Sequence, residues 1–162
     1  MTLQFCTFME MEPKQKKLHS LLDAYKESHL HPTNQKIHWI CVPLIFYSIV
    51  GILHAIPLGQ FSAAWLSLAM VWVYYYRLSL TLSLGFILVA ALCLAAAHGI
   101  QSFGNEILIY SSLSIFILAW IGQFYGHRLE GKKPSFLTDV QFLLIGPAWI
   151  LQFVYKRLGV KF

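Results

Sequence analysis

Residues Tyr25 to Pro43 read YKESHLHPTNQKIHWICVP, and this stretch decides how the rest of the chain is read. It places His29, His31, Asn34 and His38 within ten residues, where a charged N-terminal segment gives way to a long apolar one. Pro32 lacks the N–H that an interior helical position needs, so it breaks or starts a helix. If the helix has begun by Asn34, then Asn34 and His38, four residues apart, share one face. His29 lies before the break and has to fold back to join them. A comparable polar cluster in an apolar context is GHRLEGKKPSFLTD, from Gly126 to Asp139. The expectation is that the two stretches meet and form one site.

The surrounding composition says what solvent the chain uses. Of its 162 residues 57% are hydrophobic and 12% charged, about half the charged share of a soluble domain, and the mean hydropathy is +0.61. Such a chain cannot cover a water-facing surface and takes lipid as part of its solvent. The net charge of +5 comes from short basic clusters beside apolar runs, the pattern of loops facing anionic headgroups and not of a nucleic-acid binder. Cys6, Cys41 and Cys93 form no CxxC pair and imply no disulfide framework.

The fold expected is all-α and integral to the membrane, a single domain over residues 1–162. Leu18, Leu21, Leu22 and Tyr25 recur at helical spacing and predict an amphipathic helix over 13–28, lying on the membrane surface or packed against loops. Four apolar runs, 37–58, 61–77, 78–98 and 107–126, predict four transmembrane helices, the first carrying a kink at Pro43. Ser135 reads as an N-cap for a final apolar segment, 136–155, with Asp139 in its first turn. Gly146-Pro147 is expected to break that segment. With four crossings the Lys14 to Lys36 cluster, Arg77 and the Arg128 to Lys133 turn all fall on one side, as the positive-inside rule requires. A fifth crossing would strand Lys156, Arg157 and Lys161 on the other, so the last segment reads as a re-entrant or interfacial hairpin, with a fifth span as the alternative.

This topology sorts the seven histidines. His29, His31, His38 and His127 fall at the positive boundary. His54 lies 16 residues beyond His38, roughly 24 Å along a helix, and joins His98 at the opposite face. Both read as interfacial residues with a polar tip in the headgroups, and His19 as solvated. His29, His38 and His127 read either as interfacial anchors or as metal ligands, with Asn34, Glu130 and Asp139 nearby. Imidazole suits zinc, iron and copper, and with a carboxylate and open positions it suits non-haem Fe(II). The pattern contains no HExxH, no phosphate loop and no GxSxG elbow. Glu130 reads as a ligand, as an acceptor orienting an imidazole, or as a solvated charge.

The blocks SHLHPTNQKIHWICVP and WIGQFYGHRLEGKKPSF…DVQFLLIGPAW resemble the two signature blocks of a membrane family whose fungal member is an endoplasmic-reticulum 2-hydroxy fatty acid dioxygenase. The resemblance runs from Tyr25 to the C-terminus, and the chain looks like the short, bacterial-type form. It implies an Fe(II) enzyme that takes a 2-hydroxy fatty acid and O2, cleaves the C1–C2 bond and leaves an acid one carbon shorter, in the fungal case during breakdown of a sphingolipid base. Motif by motif it carries over His29, Asn34 and His38 from the first block, and Gln123, Gly126, His127, Glu130 and Pro134 from the second. On this reading His29, His38 and His127 hold the Fe(II), Asn34 orients a ligand or substrate, and Glu130 takes part in catalysis. Arg128, Lys132 and Lys133 read as headgroup anchors or as holders of the carboxylate. The partners are the 2-hydroxy fatty acid, O2 and membrane lipid, with no nucleic acid. The location implied is a bacterial inner membrane rather than the endoplasmic reticulum, with the site at the cytoplasmic face. The alternative is a non-catalytic lipid-binding or scaffold protein whose histidines are anchors.

Overall fold

The computed structural model describes residues 18–23, 29–129, 131 and 136–160. Within them, residues 18–23 are helical, and five longer helices follow: α1, Pro32–His54; α2, Ala63–Leu78; α3, Leu80–Gln101; α4, Asn105–Leu129; and α5, Phe136–Leu158. A small antiparallel ladder, β1 (Pro57–Leu58) with β2 (Phe61–Ser62), closes the α1–α2 turn, pairing Pro57 with Ser62 and Leu58 with Phe61. Gly59 at its tip has φ +66°, the left-handed conformation that a tight turn demands of a glycine.

Pro32 opens α1 at its first position, where the missing N–H costs nothing, and His31 caps it by accepting from the Thr33 N–H at 3.2 Å. Serine at 79 does the same for α3, accepting from the Leu82 N–H. Pro43 lies inside α1, and the helix runs through it.

α1, α3 and α4 are long and apolar enough to cross a membrane. α2, with 16 residues, spans roughly 24 Å and falls short of a hydrocarbon core of roughly 30 Å. Yet α2 traverses the bundle. Ser62 at its start meets His54 at the far end of α1, while Tyr75 near its end packs at a tilt against Phe86 in the first turns of α3. α3 then runs parallel to α1, from Phe86 beside Phe46 to His98 beside His54. α4 returns antiparallel to α1, with Ser112 and Leu108 against Gly51 and, at the other end, Gly126 against Asn34.

The seam between α1 and α4 is built of small residues. A Cβ on Gly122 would stand 2.7 Å from the Cys41 sulfur, and Cβ atoms on Gly126 and Gly51 would collide with Asn34 and Ser112. Absent side chains let the two backbones approach, the device that holds helices together where lipid removes the hydrophobic drive. A second cluster joins Leu18, Leu22, Phe46, Tyr75, Leu82, Phe86, Ile145 and Ala148, tying the N-terminal helical stretch and α5 to the bundle.

α5 corrects one expectation. It is a continuous 23-residue helix with Pro147 inside it, not a hairpin broken at Gly146-Pro147. Proline removes only its own N–H, and packing of the surrounding turns against neighbouring helices holds the remainder. Trp149 and Phe153 pack on Trp39, and the Tyr155 hydroxyl donates to the Thr81 carbonyl at 2.8 Å. α5 therefore lies against the starts of α1 and α3, with Lys156 and Arg157 at that same end. Of the amphipathic helix expected over 13–28, only 18–23 falls within the described residues. Lys132, Lys133, Pro134, the N-cap at Ser135 and the Asp139 side chain lie outside them.

Candidate metal centre

The start of α1 explains how His29 reaches the helix it precedes. With His31 as cap and Pro32 at the first position, residues 29–31 cannot continue the helix and turn back along it. Gln35, one turn into α1, fastens that turn by donating from its side-chain amide to the His29 carbonyl at 2.8 Å. His29 is thereby carried onto the face of α1 that holds Asn34 and His38. His127 arrives from α4, where Gly126 beside it lets the Asn34 side chain lie against the α4 backbone.

The three imidazoles converge. Ring centroids lie 4.2 Å apart for His29 and His38, 5.1 Å for His38 and His127, and 5.4 Å for His29 and His127. One ring nitrogen from each lies within 4.8 Å of the others. All are buried, with relative exposures of 2% for His29, 3% for His38 and 8% for His127, and Asn34 is wholly buried beside them.

Hydrogen bonding fixes the tautomer at the centre of the cluster. The His38 Nδ1 lies 3.0 Å from the Asn34 carbonyl oxygen, which can only accept, so Nδ1 carries the proton. Nε2 then presents its lone pair to the His29 Nε2 at 2.9 Å. Orienting a ligand imidazole through a carbonyl on its other nitrogen is the usual outer support of a metal site.

The donor set fits a transition metal. Metal–imidazole bonds of about 2.0–2.1 Å place neighbouring donors of one ion about 2.8–3.4 Å apart, depending on the angle between them, and the His29–His38 pair already has that separation. Three neutral nitrogen donors with no thiolate leave positions open for other ligands, as in catalytic rather than structural sites. Among the described residues this is the group of histidine, cysteine or carboxylate side chains arranged to hold a metal ion.

Of the residues singled out in the sequence, the structure brings together His29, Asn34, His38 and His127. Gln123 is buried one turn before His127 on α4. Arg128 ends α4 exposed to the surroundings, and Glu130 lies outside the described residues. His31 serves as the helix cap. His54 and His98 stand together at the other end of the bundle, their ring centroids 6.3 Å apart. They line a cavity of about 600 Å³ with Gln60, Trp65, Gln101 and Asn105. Sequence reasoning missed Gln35. Its signal was position, an amide one turn after a proline that forces the preceding residues to double back.

The family described as 2-hydroxy-palmitic acid dioxygenase Mpo1-like matches residues 15–158. The chain is 31% identical over 142 residues to 2-hydroxy-palmitic acid dioxygenase MPO1 of Saccharomyces cerevisiae, covering 86% of this chain and 80% of the yeast protein. No solved structure matches. Both histidine-bearing blocks lie inside the matched region, and the chain belongs to the Mpo1-like family.

Proposed function

We propose that this protein is an Fe(II)-dependent dioxygenase that cleaves the C1–C2 bond of 2-hydroxy fatty acids and releases an acid one carbon shorter. The observation that carries this reading is the convergence of His29, His38 and His127, buried from two chain segments at one end of an apolar bundle. Family membership supplies the substrate class, because the yeast relative is named for 2-hydroxy-palmitic acid.

The overall balance supports the reading. A 2-hydroxy acid and O2 give the shortened acid, CO2 and water, and O2 takes up all the electrons that cleavage releases. No external reductant has to reach the buried site. His29, His38 and His127 would hold Fe(II), which would supply the redox chemistry that activates O2 next to the 2-hydroxy acid. The chain supplies the rest. The Asn34 carbonyl keeps the proton on His38 Nδ1, so that its Nε2 lone pair points into the cluster of imidazoles. Gln35 holds His29 in place. Burial of the rings keeps bulk water away from the reacting carbon. The acyl tail runs toward the bundle interior or the lipid, where each buried methylene contributes about 0.8 kcal/mol.

In the membrane we assign four crossings to α1–α4, with α2 completed by its flanking residues, and an interfacial position to α5. Arg77, Arg128, Lys156 and Arg157 then share the side of the triad, which the positive-inside rule makes cytoplasmic. We place the protein in a bacterial inner membrane.

The test is anaerobic loading of detergent-purified protein with Fe(II), addition of 2-hydroxypalmitic acid and O2, and mass spectrometry of the product. Pentadecanoic acid formed in step with O2 uptake supports the proposal. No O2 uptake by the loaded protein would overturn it in favour of a lipid-binding role.

A further inference from the structure

Gln123 carries a feature that the metal site does not use. It is 5% exposed, and its side-chain oxygen Oε1 is buried with no hydrogen-bond partner. An unmet amide oxygen in a protein interior is destabilising, and more so where lipid replaces water. Gln123 precedes His127 by one turn of α4, so the two share a stripe, and Gln123 lies about 6 Å further toward the bundle interior. A helical side chain covers the turn N-terminal to its own Cα, which sets the His127 ring over the turn carrying Gln123. On the facing helix, Cys41 and Ile37 lie against Gly122, the residue next to Gln123, and Cys41 is buried. An acid whose carboxylate sits among the histidines and whose tail leads into the interior would run past the turn that carries Gln123.

We propose that Gln123 is a specificity-determining residue: its Oε1 accepts a hydrogen bond from the 2-hydroxyl of the bound acid, selecting 2-hydroxy acids over unsubstituted ones. This rests on the fatty-acid reading above. It also explains why an apolar seam retains an amide. A site built to pair with a substrate hydroxyl leaves its own polar group unmet when that hydroxyl is missing, and so rejects the analogue. Ser112 Oγ is likewise buried without a partner, but it faces Gly51 at the other end of the seam, away from the histidines, and serves as the control.

The experiment is equilibrium binding of 2-hydroxypalmitic acid and palmitic acid to metal-depleted, detergent-purified protein, so that chelation by iron does not contribute. Wild type is expected to prefer the 2-hydroxy acid by about tenfold, the value of one net hydrogen bond. Gln123→Met, which keeps length and volume, is expected to bind both acids equally, to load Fe(II) as wild type does, and to melt no lower than wild type because an unmet amide is gone. Gln123→Asn, with the amide one methylene short, should fall between them. Ser112→Ala should leave the preference intact. A preference undiminished in Gln123→Met would overturn the assignment, as would a preference lost equally in Ser112→Ala. If wild type binds neither acid, the fatty-acid reading fails as well. If wild type discriminates and Gln123→Met does so to the same extent, only the role of Gln123 falls.

Discussion

Both ends of the α1–α4 pair carry histidines, and the difference between them shows what sets a candidate metal centre apart. At one end three imidazoles from two segments are buried, with one ring nitrogen of each within 4.8 Å of the others. At the other, His54 bonds through Nδ1 to the Ser62 hydroxyl at 2.9 Å, and His98, 6.3 Å away, is exposed. The surroundings there are amides and aromatic rings bordering an open cavity. The same residue type on the same helix is thus a candidate ligand in one place and an interfacial side chain in the other. Convergence and burial decide the matter; the number of histidines does not.

Replacing histidines at each end in turn applies the strongest pressure to this contrast. His29→Ala or His127→Ala should reduce turnover of a 2-hydroxy fatty acid to the rate without protein, whereas His54→Ala and His98→Ala should leave it within about twofold, since removing an exposed or peripheral group costs little. Oxygen uptake by the four variants at equal iron supply checks this. Equal losses at both ends would dissolve the distinction.

The turn that brings His29 back comes next. Gln35→Leu removes the donor to the His29 carbonyl, and groups supporting a ligand from outside are typically worth about 10–100-fold in metal affinity. Competition with a chelator of known affinity should show a loss in that range.

Two glycines then sharpen the comparison along one seam. Gly126→Ala drives a methyl into the buried Asn34, and Gly51→Ala drives one into Ser112. Each should destabilise by about 1–3 kcal/mol, the usual cost of overpacking. Only Gly126→Ala should also weaken metal binding, because the Asn34 carbonyl holds His38. Thermal melting with metal analysis of both variants separates the two effects. The smallest change expected is Tyr155→Phe, which removes the bond from α5 to Thr81 and should cost about 0.5–1.5 kcal/mol with iron content unaltered.

Much of this arrangement could be read from the residues. Pro32 announced the start of α1, the spacing of Asn34 and His38 put them on one face, and the two polar blocks announced that His127 would meet His29 and His38. Periodicity locates helices well when apolar runs are long, so α1, α3 and α4 were legible. Two features were not. Gly146-Pro147 reads locally as a break, yet α5 continues through it, because packing of Trp149, Phe153 and Tyr155 against α1 and α3 outweighs one lost hydrogen bond. The placement of α5, with its cationic end beside the starts of α1 and α3, likewise depends on contacts distant in sequence. The close approach at Gly126 belongs to the same class, since a glycine shows what it permits only when its neighbour is known.

The central claim is that the three buried histidines hold one iron, and metal content tests it most directly. Detergent-purified wild type, His38→Ala and His54→Ala would be loaded with Fe(II) under anaerobic conditions, desalted and measured by inductively coupled plasma mass spectrometry. The account predicts near-stoichiometric iron in wild type and His54→Ala and none in His38→Ala. Iron retained in His38→Ala, or absent from loaded wild type, would contradict it.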